Sequence, residues 1–328
     1  MTDRNSEAAI ATPTRRDLLQ SIAMLGIATS ASQAFPTPSS ANEGTIEMNE
    51  RVIKSDEVEI ATQAFGDPSH QPVLLIMGAM ASMLWWPEAF CRQLAAQNFH
   101  VIRYDNRDTG LSTFYEPGSP PYTTDDMAED AMRVLDGYEI DSAHLVGMSM
   151  GGMIAQIAAF AHPGRVRTLT LISTTPVSMD TSALPQTSSA YMEHAAEGEI
   201  IDWSDHSQVI DFIVKDTRMI AGTAHPYDEA RARGLVEHDV KRARNFVSAT
   251  NHFALGAGAD WTGKLADLEI PLLVIHGTDD PIFPIEHGEL IAETVDGADL
   301  LRLEGGGHEI HPDDWGKVLP AIKAHSDA

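Results

Sequence analysis

The sequence predicts an α/β fold: a mostly parallel sheet flanked by helices, with a helical cap inserted between the sixth and seventh strands. Three observations predict it. Between residues 51 and 175, short β-branched runs alternate with helical stretches, the pattern of strands joined by crossover helices. From 176 to 262 only helical stretches are visible, and the alternation resumes over 263–328. At 145–159, "LVGMSMGGMIAQIAA" passes from an apolar strand into an apolar helix through glycines at 147, 151 and 152.

The elements follow in order. "RVIK" and "VEIATQAF" read as a leading hairpin, and "PVLLIM" (72–77) as a strand apolar on both faces, as a parallel sheet covered on two sides requires. An amphipathic stretch at 88–97 precedes the strand "FHVIRYD". The helix "TTDDMAEDAMRVLDGY" precedes the strand "SAHLVG", and the 149–161 helix precedes "RTLTLIST". Within 176–262, "SQVIDFIVKDTRMIA" and "YDEARARGLVEHDVKRARNFVSATNHF" are helical. "PLLVIHG" (271–277), a helix near 286–295, "ADLLRLE" (298–304) and a helix near 312–324 complete the chain. Ligand sites in such sheets lie beyond the carboxyl ends of the strands, so an insertion after the sixth strand caps that edge.

Composition narrows the function classes. The 328 residues are 43% hydrophobic, enough for a large packed core, and carry a formal net charge of −26. That charge disfavours nucleic acid and anionic membranes as partners. The single cysteine, Cys91, rules out an intramolecular disulfide, and the 14 histidines are scattered without metal-ligand spacing, so neither a metal nor a cofactor is expected. No apolar run is long enough for stable membrane insertion. The oligomeric state is left open.

The N-terminus is read separately. Arg15 and Arg16 precede a stretch from Leu18 to Asn42 without a charge, and Ser32-Gln33-Ala34 offers small residues before a cleavage point. Arginine pair, apolar region and small-residue site in that order predict a twin-arginine-type signal peptide at 1–34 and a linker at 35–50. The protein is then periplasmic or secreted. If translation starts near Met48 instead, it is cytoplasmic. Removing 1–34 takes three acids and three bases and leaves the charge unchanged.

Gly147-Met148-Ser149-Met150-Gly151 is a G-x-S-x-G pattern at a strand-to-helix junction, a turn that can expose a serine hydroxyl. A serine hydroxyl is a weak nucleophile at neutral pH and needs a base, which in turn needs an acceptor to fix its tautomer. "PLLVIHG" is followed by Thr278-Asp279-Asp280-Pro281, and "ADLLRLE" by Gly305-Gly306-Gly307-His308. Ser149, Asp280 and His308 are therefore the candidate nucleophile, acid and base. The three glycines are expected to form a flexible loop that lets the imidazole swing to the serine. His311 is the rival base and His276 a core histidine. Asp279 competes with Asp280; the extended conformation imposed by Pro281 favours the latter. The charges of the Arg103–Asp108 loop are expected to pair with one another as scaffold.

"HVIRYDNRDTGLST" (100–113) with "VLDGYEIDSAHLVGMSMGGMIAQIAAFAHPGRVRTLTLI" (134–172) resembles the α/β-hydrolase superfamily, and within it is especially similar to the aclacinomycin methylesterase type. The likeness covers most of 50–175 and the acid and histidine loops, and little of 176–262. It implies a Ser149–Asp280–His308 triad and oxyanion donors at the backbone of Met150 and Ala79. In place of the frequent His-Gly of that loop, this chain has Met77-Gly78. The resemblance implies a serine hydrolase of a carboxylic ester, a methyl ester or lactone of a medium-sized apolar or polyketide-like small molecule. Met80, Met83, Trp85 and Trp86 are read as an apolar pocket wall or as packing beneath the cap. The alternatives are a cofactor-free perhydrolase or acyltransferase with the same triad and, more remotely, a non-catalytic binding member of the fold.

Overall fold

The computed structural model describes residues 50–55 and 58–327; the expected leader and the linker up to residue 49 lie outside them. The sheet comprises β1 (Glu50–Lys54), β2 (Glu59–Phe65), β3 (Gln71–Ile76), β4 (Phe99–Tyr104), β5 (Ala143–Met148), β6 (Val166–Ile172), β7 (Leu272–Gly277) and β8 (Asp299–Leu303). Their spatial order is β1-β2-β4-β3-β5-β6-β7-β8. The β1–β2 and β2–β4 pairs are antiparallel and the others parallel. Glu50, assigned by sequence to the linker, is the first residue of β1, and its carboxylate is paired with Arg242 at 2.8 Å.

Alternation along each central strand divides the core into two layers. Leu74, Ile76, Leu145 and Val274 face α2 (Thr124–Gly137), α3 (Met150–Ala161) and α7 (Ile285–Thr294). Val73, Leu75, Val146 and Ile275 face α1 (Glu88–Ala95) and α8 (Trp315–Ser326). A period of two thus sends neighbouring apolar residues to opposite layers, which is why these strands read as unbroken apolar runs. Helix α3 is apolar on every side because it lies between the sheet and α2. Its one mid-helix polar side chain, Gln156, donates to the carbonyls of Gly152 and Thr175 and accepts from the Val177 amide.

Between β6 and β7 run α4 (Ser189–Ala196), α5 (His206–Ile220) and α6 (Glu229–Arg242). Asp205 and Asp228 cap α5 and α6 through their side chains, supplying acceptors to otherwise unpaired first-turn amides. Val209, Ile213, Val214, Val236 and Val240 form a small core of their own against Met80 and Trp85. Polar ties reinforce it: Trp85 Nε1 donates to Asp239 at 2.7 Å, and Arg242 pairs with Asp105 at 2.8 Å. The stretch 227–253, read as one helical run, breaks after Arg242 and continues as a 3-10 segment, Phe246–Phe253. The break occurs because the Arg244 amide leaves the helix to donate to the Gly110 carbonyl, exchanging helix continuation for a tie to the sheet domain.

The Arg103–Asp108 loop departs from expectation in its pairing. Its charges do not neutralise one another. Arg103 binds Gln63 and the carbonyls of Met83 and Trp86; Asp105 meets Arg242; Arg107 meets Asp130 on α2. Each partner lies on a different element, so the loop ties strand, helix and inserted segment together.

Candidate active site

Ser149 stands between β5 and α3 with φ 54° and ψ −123°, a region that side-chain-bearing residues seldom occupy. Hydrogen bonds hold it from both sides. Its amide donates to the Ile172 carbonyl at 2.9 Å, and its own carbonyl accepts from the Gly152 amide (2.8 Å) and Thr174 Oγ1 (2.7 Å). The turn also requires bare backbone around it. A Cβ at Gly147 would lie 2.3 Å from the Gly151 carbonyl oxygen, and one at Gly151 would lie 2.1 Å from that of Ile76. These contacts explain the glycines on either side of the serine.

Asp280 follows β7 and His308 follows β8, and the two meet: His308 Nδ1 lies 2.7 Å from Asp280 Oδ2. The other carboxylate oxygen accepts the amides of Ile282 and Phe283, both at 2.9 Å. Burial pushes the Asp280 carboxyl up, but the charge and hydrogen bond of His308, the charge of His276 and the Phe283 amide outweigh it and hold the group below its ordinary value. The anion then keeps the proton on His308 Nδ1 and leaves Nε2 as the basic nitrogen. Asp279 faces away; its carboxylate accepts from the Thr223 hydroxyl at the surface. His276 is fully buried on β7 and donates from Nε2 to the Phe283 carbonyl at 2.7 Å, steadying the loop behind Asp280. His311 also borders the cavity, but its ring stacks on His225 and not on the carboxylate of Asp280.

The loop before His308 is not the flexible arm expected. The chain leaving α5 lies directly on it: the Thr223 and Ala224 amides donate to the Gly305 carbonyl, and the His308 amide donates to the Ile220 carbonyl at 2.8 Å. A Cβ at Gly307 would fall 2.2 Å from the Ile220 oxygen. The glycines permit a close backbone approach, so His308 is clamped between sheet and insertion.

Ala79 and Met150 both border the cavity that contains Ser149 and His308. Met150 opens α3, where the first amides have no partner within the helix. Gly78 brings the Ala79 loop against the serine: a Cβ there would stand 3.0 Å from Ser149 Cβ and 3.5 Å from its Oγ. The next residue, Met80, is held at φ 62°, and its amide donates to Nδ1 of His252 at 3.0 Å. His252 in turn donates from Nε2 to the Arg107 carbonyl at 2.7 Å. Burial keeps this imidazole below its ordinary value, so it stays neutral. Sequence reading missed His252. It sits in a helical run far from the loop it holds, and nothing in the local pattern sets it apart from the neighbouring polar residues Thr250 and Asn251.

The cavity has a volume of about 710 Å³. Met80, Trp85 and Trp86 line it, whereas Met83 is fully buried beneath it in the sheet domain. The insertion contributes Tyr191, Met192, Ile213 and Leu235. An imidazole fixed by a buried carboxylate, a serine on a strained turn and a neighbouring run of amides are the parts needed for nucleophilic acyl transfer.

The family described as the alpha/beta hydrolase fold matches residues 71–314. The chain belongs to the α/β-hydrolase family. Among the α/β hydrolases it is 32% identical to rhodomycin D methylesterase DauP of Streptomyces sp. (strain C5) over 298 residues, 86% of this chain and 99% of that protein. It is 31% identical to rhodomycin D methylesterase DnrP of Streptomyces peucetius with the same coverage, and 28% identical to a putative carbamate hydrolase RutD of Yersinia enterocolitica, covering 74% of this chain and 82% of that one. The solved esterase RhEst1 of a Rhodococcus species superposes with a TM-score of 0.70 at 23% identity, covering 86% of this chain and 99% of its own. At that identity the superposition speaks for the α/β-hydrolase fold alone. No helix among the described residues is long and apolar enough to cross a membrane.

Proposed function

We propose that this α/β hydrolase cleaves a carboxylic ester through an acyl-enzyme on Ser149. His308 takes the serine proton as Oγ attacks the ester carbonyl and returns it to the leaving alcohol. Asp280 orients and stabilises the imidazolium that forms, and the Ala79 and Met150 amides receive the tetrahedral oxyanion. Water, activated by the same imidazole, then releases the acid. The observation that carries the reading is the 2.7 Å contact of His308 with buried Asp280 beside the cavity that Ser149 borders.

The relatives and the cavity together support a substrate class. Two relatives, at 32% and 31% identity, are rhodomycin D methylesterases, and methionine and aromatic side chains are among those that line the cavity. A methyl ester on a medium-sized apolar or polyketide-like acid fits both, with residues 176–262 acting as the cap that selects it. The leader at 1–34 exports the folded enzyme.

The test is a panel of methyl, aryl and lactone esters assayed with the wild type and Ser149→Ala, alongside labelling by a fluorophosphonate. Turnover and labelling lost together in Ser149→Ala, with labelling also lost in His308→Ala, support the mechanism. Labelling that persists undiminished in Ser149→Ala refutes it.

A further inference from the structure

Beside the histidine loop, where His311 also borders the cavity that Ser149 lines, a second cluster of side chains remains unassigned. His225 comes from the chain between α5 and α6, and His311, Asp313 and Asp314 from the turn that leads into α8. One potential ligand atom from each of His225, His311 and Asp313 lies within 4.8 Å of the other two. His225 Nδ1 is 3.6 Å and His311 Nδ1 is 3.7 Å from Asp313 Oδ2. Ligands about 2.1 Å from a tetrahedral zinc ion stand about 3.4 Å apart, so both imidazoles already approach the spacing that one ion would impose.

We propose that His225, His311 and Asp313 form a binding site for a transition-metal dication, which clamps the inserted segment onto the loop that carries His308. The surroundings are those of a ligand set. Nε2 of His225 is 2.8 Å from Asp314, whose residue is buried. That carboxylate holds the Nε2 proton and leaves Nδ1 with its lone pair facing Asp313, the arrangement by which outer carboxylates orient metal-binding histidines. Asp314 is itself held by Lys317 at 3.1 Å. The His225 and His311 rings stack with centroids 4.3 Å apart and planes 14° from parallel, with Nδ1 of each near the same Asp313 oxygen; the two rings tilt apart to bring both lone pairs onto one ion. His311 Nδ1 now accepts a long hydrogen bond, 3.3 Å, from the Asp313 amide, which a metal bond would replace.

Two imidazoles and one carboxylate select a borderline ion over Mg²⁺ or Ca²⁺, which prefer all-oxygen shells. Asp313 is exposed and both histidines are partly so, which gives an ion access from solvent. The formal charge of −26 favours any cation. Sequence spacing hid the cluster, because 89 residues separate His225 from Asp314. Its ligands come from two chain segments already joined through Gly305 and Thr223. A bound ion therefore cross-links these two segments, adding to the backbone contacts that already join them.

The full-length protein, stripped with chelator, is titrated with Zn²⁺ by calorimetry and with Co²⁺ by visible absorption. One Zn²⁺ per chain is expected, with binding at least 100-fold weaker in His225→Ala/His311→Ala and about 10- to 100-fold weaker in Asp314→Asn. Co²⁺ should give d–d bands that the double variant lacks. Should the double variant fail to fold, exposed Asp313→Asn replaces it, with a loss of at least tenfold expected. Hydrogen exchange at 221–228 should slow when Zn²⁺ is added. Equal Zn²⁺ binding by wild type and variants overturns the site, and binding without slowed exchange overturns the clamp.

Discussion

His252 accepts the amide proton of Met80 at Nδ1 across 3.0 Å, so a residue of the inserted segment fixes the loop that presents Ala79. With its other nitrogen on the Arg107 carbonyl, the imidazole bridges two loops of the sheet domain at a single position. A misplaced oxyanion donor affects the transition state more than substrate binding. His252→Ala should therefore lower kcat by about ten- to a hundredfold with KM within about twofold. His252→Asn places an amide oxygen near the old Nδ1 and should recover most of the rate. A loss confined to KM, or no recovery by Asn, would show that His252 only supports the fold.

Asp279 and Asp280 differ in partner and in burial, and so should their variants. Asp280→Asn removes the anion that holds the His308 tautomer and should lower kcat by about 10³- to 10⁴-fold. Asp279→Asn keeps an acceptor for the Thr223 hydroxyl and should cost less than about threefold, in keeping with a surface hydrogen bond. Steady-state rates on one ester suffice, and reversed effects would reassign the acid.

Stability should fall on mild acidification. Burial holds His144, His252, His276 and His325 below the ordinary histidine value, His144 at about 4. The unfolded chain takes up protons near pH 6.5 that the folded chain refuses, so stability is full above that pH and declines as the pH drops towards 4. Asp280, held below 3.8, adds a loss of the same sign at still lower pH. The urea midpoint should decrease steadily from pH 7 to pH 5, and His144→Gln should flatten the curve. A midpoint constant over that range would contradict the sign.

The proposed export leader can be tested apart from the enzyme. A fusion of residues 1–40 to a reporter that folds before transport should reach the periplasm, and Arg15→Lys/Arg16→Lys should retain it in the cytoplasm. Unchanged export of the double variant would exclude the twin-arginine route.

The succession of strands and helices, the burial of the central strands on both faces and the turn at Ser149 were legible because each rests on local rules. Periodicity assigns Leu74 and Leu75 to opposite layers, and only side-chain-free residues fit at 147 and 151, against the carbonyls of Gly151 and Ile76. The end of α6 was not legible. A helical pattern continues through Arg244, but the amide found a partner in Gly110, and tertiary pairing outweighed propensity.

Sequence by itself named the candidate nucleophile, acid and base and the strand ends on which they stand, since each follows a recognisable apolar strand. Tertiary structure alone decided what holds them. It set Asp280 against His308 and Asp279 against Thr223, turned the glycines at 305–307 from a hinge into a seat for the Ile220–Ala224 backbone, and brought His252 to Met80 and His225 to Asp314. The physical reason is range. Secondary structure and turns answer to neighbours a few residues away, whereas these contacts join segments 28 to 172 residues apart. Pairing of β7 with β8 brings Asp280 to His308, and the closing of the inserted segment over the sheet brings the other groups within hydrogen-bond reach.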